Sequence, residues 1–237
     1  MAYPTTIDSF TTKLDGAGNT IYAAHINAIQ TVASALEVKV GIDSSADTSS
    51  IDYKINRFSP EYGTIWVPAN SMTPCNTNGA DPSSLEYDTD KRILDYYAFA
   101  DGAVDQRVQF TLVMPENWDR STVKVKFYWS CVTVGAGAAD DTATFAIKAG
   151  ALADSEAITT AFGTAVSVTD ILLADDGGDM QISAASGALT IAGSPALNEI
   201  ITFEIYRDVS EDDCPVDVWL FGCLIQYKMI NTVAVWS

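Results

Sequence analysis

Apolar residues recur along this chain with two different periods, and the change between them divides it. Over residues 20–41, Tyr22, Ile26, Ile29, Ala33, Leu36 and Val40 follow at spacings of four, three, four, three and four. That repeat sets one apolar seam along a helix and lets the helix wind round copies of itself. Asn19 or Thr20 is placed to cap its start, and Gly41 supplies a left-handed stop. Glu37 and Lys39 fall at the e and g positions beside the seam, where charges pair between parallel chains. Val32 widens the apolar face and Ala33 thins the seam, so the stripe also suits a helix packed on its own domain. The apolar-poor flanks tip the reading toward a short self-associating stem.

Before the helix, residues 1–19 carry only scattered apolar anchors, Tyr3, Ile7, Phe10 and Leu14, which suits an extended arm that docks elsewhere. After it, residues 42–50 form a polar spacer, and the alternation of Ile51, Tyr53 and Ile55 allows a short strand or an adaptor. From residue 64 the period becomes two. Ile65-Trp66-Val67-Pro68 opens the series, with Pro68 marking an edge or a strand end. Residues 92–100 and 107–114 follow, the second with Val108, Phe110, Leu112 and Met114 on one face, and PENWDRS at 115–121 is a turn by composition. Residues 122–134 are the clearest strand: Val123, Val125, Phe127, Trp129 and Cys131 point one way, and Lys124, Lys126, Tyr128 and Ser130 the other. Further strands are predicted at 143–149, 165–171, 180–191 and 201–206. In 201–206 Ile201, Phe203 and Ile205 alternate with polar residues, and in a final long strand Trp219, Phe221, Cys223, Ile225, Tyr227 and Met229 form the apolar phase.

Eight to ten strands with no helical period between them predict a mainly β fold, an antiparallel β-sandwich of jelly-roll type preceded by an N-terminal arm and one α-helix. Residues 1–61 are expected to form the anchoring arm, helix and linker, and residues 62–237 the sandwich.

Charge narrows the partners. With 31 acidic and 13 basic residues the chain carries a net charge of −18. A phosphate backbone or an anionic membrane surface is repelled, so neither nucleic acid nor membrane is expected as a partner. The start, MAYPTTIDSF, lacks the basic and apolar regions of a secretory signal, and no apolar run is long enough for a membrane-spanning helix. Cys75, Cys131, Cys214 and Cys223 contain no C-x-x-C pair, and Cys131 and Cys223 fall on apolar strand phases, so buried thiols are expected rather than metal sites or disulfides.

Candidate chemistry is sparse. His25 is the only histidine, which removes most catalytic triads and zinc sites. No G-x-S-x-G and no phosphate-cradling loop occurs. Asp175-Asp176-Gly177-Gly178-Asp179 is the best ion-site candidate, but an Asp/Gly cluster between strands is more often a turn, and Glu211-Asp212-Asp213 reads as another acidic turn. No metal, no cofactor and no catalytic residue is expected. Tyr96, Tyr97 and Tyr128 are able to stack on sugars, although outward tyrosines are also ordinary strand formers.

Ala24-His25-Ile26-Asn27-Ala28-Ile29-Gln30, followed by Ala35-Leu36-Glu37 and Gly41, resembles a leader of virion structural proteins of tailed bacteriophages. Ile65-Trp66-Val67-Pro68-Ala69, Asn117-Trp118-Asp119, Phe127-Tyr128-Trp129 and Tyr206-Arg207-Asp208 extend the likeness more loosely into the body. The resemblance implies a non-enzymatic virion component, assembled in the cytoplasm of a host bacterium: a capsid decoration or head-fibre protein that forms a homotrimer. Tyr22, Ile26, Ile29, Ala33, Leu36 and Val40 would form its oligomer interface. Tyr3, Ile7, Phe10 and Leu14 would anchor it to the major capsid protein or to neck or tail proteins. The alternative is a tail-fibre or receptor-binding protein that recognises host surface glycan. A depolymerase ranks lowest, because no carboxylate spacing asks for it.

Overall fold

The structure, a computed structural model, describes residues 23–40, 46, 48–51, 54, 61–87, 89–131, 140–173 and 178–230. The chain divides into two compact units, residues 1–59 and 60–237.

In the first unit the 4-3 repeat forms α1, Ala23–Val40, with Lys39 in the last turn, where a cation complements the helix dipole. Its seam is open to solvent in the single chain: Ile29 is 62% and Leu36 61% exposed. Ile51 and Lys54 lie in a helical turn, the Lys54 N–H donating to Ser50 O at 3.3 Å, where alternation allows a short strand or an adaptor.

The second unit is an antiparallel β-sandwich. Its strands are β1 (Tyr62–Pro68), β2 (Thr73–Pro74), β3 (Asp81–Tyr87), β4 (Arg92–Phe99), β5 (Arg107–Val113), β6 (Trp118–Cys131), β7 (Thr142–Leu152), β8 (Val166–Ile171), β9 (Gln181–Ile182), β10 (Ile200–Arg207) and β11 (Val218–Met229). One sheet runs β3-β4-β11-β6-β9, with β1 also paired to β11; the other runs β2-β5-β10-β7-β8. Between them lies a core built from the predicted apolar phases, with Val123, Val125, Phe127, Trp129 and Cys131 of β6 all buried. Phe145 of β7 sits among aromatic rings of the opposite sheet, 5.3 Å from Phe127, 5.8 Å from Phe99 and 6.2 Å from Trp129, in tilted or edge-on contacts. Trp129 satisfies its indole N–H by donating to Asp170 of β8 at 2.7 Å, which ties the two sheets together.

Four departures from the sequence reading have local causes. The predicted turn at 115–121 is a turn only at its start, because the buried Trp118 begins β6, and the Asp119–Ser121 segment is an irregularity within that strand. There Arg120 adopts φ 62° and the Ser121 N–H donates to the Asp119 carboxylate at 2.8 Å. Of 180–191 only Gln181–Ile182 is strand. Beyond it the Ser183 and Ser186 hydroxyls accept the Phe127 and Val125 N–H groups at 2.9 Å each, so side chains finish the edge of β6 where a Gly/Ala/Ser segment has no strand propensity. β2 and β3 carry no alternation that would announce them. The fourth departure is in β11, where a register shift between Leu220 and Gly222 inserts one residue. Val218 and Leu220 face the core before it and Cys223, Ile225 and Tyr227 after it. The extra residue moves Trp219 and Phe221 out of the predicted apolar phase and onto the outer face.

Candidate functional site: an aromatic cleft on the outer face of the larger sheet

The bulge in β11 also opens the site. Both β4 and β1 pair with the same side of β11, β4 at Tyr97–Phe99 against Val218–Leu220 and β1 from Pro68 against Gly222 onward. Among the described residues, 92–96 of β4 have β3 as their only ladder partner. A gap is left between β4 and β1, and the chain fills its floor with a 3-10 turn at Ala69–Ser71. Tyr97, on the core face, holds this turn in place by donating its hydroxyl to Met72 O at 2.9 Å.

The result is a cleft of about 570 Å³ bounded by Trp66, Pro68, Asn70, Ile93, Asp95, Tyr128, Met180, Phe221 and Leu224. Trp66 stands on the polar phase of β1, between Ile65 and Val67, and its ring is held edge-on to Tyr128 at 4.8 Å between centroids. Gly222 lets the indole lie this close: a Cβ there would sit 2.7 Å from two ring carbons and 2.5 Å from Val67 O. Even so, Trp66 is 46% exposed, as is Met180, and Ile93 is 60% exposed. Phe221 closes one wall and continues into a second aromatic group, with Tyr96 5.8 Å from it and 4.7 Å from Trp219. On the rim, Asn70 Nδ2 donates to Asp95 Oδ2 at 3.1 Å. A solvent-facing indole, a phenol and a fixed carboxylate–carboxamide pair offer a flat apolar platform beside hydroxyl-binding groups. That combination, a mostly apolar concavity with a few placed polar atoms, is how small ligands are held.

The outer face of the other sheet carries a different cluster. Glu204 of β10, 5% exposed, accepts from Arg107 at 3.0 Å, Lys148 at 2.9 Å and Gln109 at 2.7 Å. Burial pushes its carboxyl pKa up, but the hydrogen bonds from Lys148 and Gln109 and the charges of Lys148 and Arg107 outweigh burial and hold it below the usual value. Both carboxylate oxygens are engaged, which suits a structural role.

Sequence-predicted candidates fall in several places. Ile26, Ile29, Ala33, Leu36 and Val40 lie on α1. Tyr22, Tyr3, Ile7, Phe10 and Leu14 lie outside the described residues, as do Asp175, Asp176 and Gly177 and the side chain of His25. Of the three tyrosines, Tyr128 lines the cleft, Tyr96 flanks it and Tyr97 turns into the core. Glu211-Asp212-Asp213 is a turn in which both aspartate carboxylates and the Glu211 carbonyl serve the fold. Asp212 binds the buried Arg207 through both oxygens, at 2.7 and 2.8 Å, Asp213 accepts the Thr142 hydroxyl at 2.7 Å, and Glu211 O accepts the Thr144 hydroxyl at 2.8 Å. Among the described residues no group of three or more His, Cys, Asp or Glu side chains is placed to hold a metal ion. Trp66 and Asp95 escaped sequence reasoning. The signal for Trp66 was a large aromatic on the polar phase of a strand.

No family model and no curated protein sequence matches the chain. Solved structures with a similar strand arrangement are mostly carbohydrate-binding modules. The CBM22-1 and GH10 modules of a Clostridium thermocellum endo-1,4-β-D-xylanase 10B, complexed with xylohexaose, align at 17% identity and TM-score 0.39 over 74% of this chain and 29% of that one. A family 11 carbohydrate-binding module from Clostridium thermocellum, in complex with a β-1,3-1,4-mixed-linked tetrasaccharide, aligns at 8% identity and TM-score 0.35, over 70% and 89% of the two chains. The enzymatically active domain of tailspike protein 4 of bacteriophage CBA120 aligns at 7% and 0.30, over 74% and 20%. This chain thus spans less than a third of the xylanase and tailspike chains. These likenesses concern the fold.

Proposed function

We propose that the protein is a non-enzymatic glycan-recognition protein whose β-sandwich offers the Trp66 cleft to a saccharide and whose N-terminal segment attaches it to a larger assembly. The observation that carries this reading is a half-exposed indole, braced by Tyr128 and set beside the Asn70–Asp95 pair in an open cleft. Leaving that much aromatic surface in water costs stability, and a ligand that stacks on it recovers the burial. The resemblance of residues 24–41 to a phage leader supports placing the protein on a tailed-phage virion. The cleft then favours the receptor-binding role over capsid decoration, which needs no such site. The exposed seam of α1 supports gathering of copies, three in this proposal.

Titration of purified protein against a panel of soluble polysaccharides tests the reading. At least one should bind, and Trp66→Ala should weaken it at least tenfold with the thermal midpoint little changed. Absence of binding across the panel, or equal binding by Trp66→Ala, would overturn it. On purified particles, a copy number far below that of the major capsid protein fits receptor binding, and a comparable number fits decoration instead.

A further inference from the structure

The cleft is one end of a longer track. Next to it on the same outer face, across β6, β11 and β1, register sets Lys126 beside Leu224 and Trp66, then Lys124 beside Gln226 and Thr64. One further row along, Lys228 pairs with Tyr62. With strands about 4.8 Å apart and same-face residues about 6.8 Å apart along each strand, Lys126 is rooted roughly 10 Å from Trp66, and the other two lysines lie within two further rows. A second hollow of about 390 Å³, bounded by Tyr62, Ser121, Thr122, Lys124, Gln226 and Lys228, continues the line of the first.

The charges on this track are unusual for the molecule. The chain is strongly acidic at −18, yet three of its 13 basic residues crowd one sheet face. Lys124 and Lys126 are exposed, and among the described residues neither has a carboxylate within 4.0 Å. Lys228 makes only a loose 3.7 Å pair with Glu61, both half-exposed. The other sheet treats its cations differently, with Arg107 and Lys148 both paired to the buried Glu204. Unpaired lysines beside an aromatic platform complement a ligand that stacks through its ring and carries negative charge one or two units further along.

Resting on the glycan-binding reading, we infer that the ligand is an acidic polysaccharide, bound with one sugar ring stacked on Trp66 and sugar carboxylates on Lys126 and Lys124. Because the molecule as a whole repels anions, the attraction is short-ranged and acts through direct pairs, so it weakens with salt.

The test uses the full chain and four probes: polygalacturonate, the same polymer with its carboxyls reduced to alcohols, polysialate and mannan. Binding to polygalacturonate or polysialate should exceed that to the reduced polymer and to mannan at least tenfold, the two acidic polymers distinguishing uronate from sialate as the source of the carboxylate. A Lys124→Gln/Lys126→Gln variant should cut the acidic-to-neutral ratio at least fivefold and flatten the salt dependence between 50 and 500 mM, with unchanged circular dichroism. Trp66→Ala should lower binding of acidic polymer as well. Equal, Trp66-dependent binding of neutral and acidic polymers would overturn this inference and leave the glycan-binding reading standing. Acidic binding that survives Trp66→Ala would mark simple ion exchange and overturn it. Failure of all four probes would remove the inference, and failure across the wider panel the glycan reading too.

Discussion

Arg207 shows how much one side chain determines here. It is buried, and its guanidinium donates to both oxygens of Asp212 and to the carbonyls of Phe99, Val216 and Cys214, which joins β10 to β4 and to the loop before β11. Arg207→Met should cost about 3–5 kcal/mol in urea unfolding, since it strands a buried carboxylate and three carbonyls. Glu204 makes a pH prediction. Its folded pKa lies below its unfolded value, so its contribution is complete at neutral pH and is lost as pH falls below about 4.5 and through the folded value. Glu204→Gln should therefore be less stable than wild type by about 2–4 kcal/mol at pH 7, because Arg107 and Lys148 lose their counterion, and the gap should narrow in acid. Cys214, whose thiol burial pushes up to about 11, and Cys223, pushed up further still, should resist iodoacetamide in the native protein. Mass spectrometry should find native alkylation confined to the half-buried Cys75, with all four cysteines alkylated after denaturation.

At the scale of elements, β11 controls the site. It pairs with β6 along one edge and with β4 and β1 along the other, and the bulge that turns Trp219 and Phe221 outward also separates β4 from β1. Gly222→Ala tests this coupling: the new methyl meets Val67 O and the Trp66 ring, so the platform must tilt. Stability should fall by about 1–3 kcal/mol, and saccharide affinity should fall together with it, read by calorimetry.

At the scale of the whole molecule, the proposed trimer would multiply weak sites. Ile29→Asp puts a charge in the seam of α1, where an apolar contact between copies is expected, and native mass should drop to that of one chain. On a glycan-coated surface that variant should dissociate at least a hundredfold faster, while its solution affinity for a short oligosaccharide stays unchanged, because linkage raises effective concentration without adding a contact. A variant that still assembles would remove the stem from this account.

The hydrophobic pattern by itself determined the class of fold, the helix at Ala23–Val40 and the inward faces of β5, β6 and β10, because burial on one side of a strand writes itself as a period of two. It also marked the buried Cys131 and Cys223. Tertiary structure alone decided the rest. An inserted residue in β11 reverses every face before it without altering the apolar run. Strands such as β3 are held by pairing with a neighbour rather than by their own composition. The cleft gathers Trp66, Asp95, Tyr128 and Phe221 from four strands that are distant in sequence, and local pattern carries no information about which strands become neighbours.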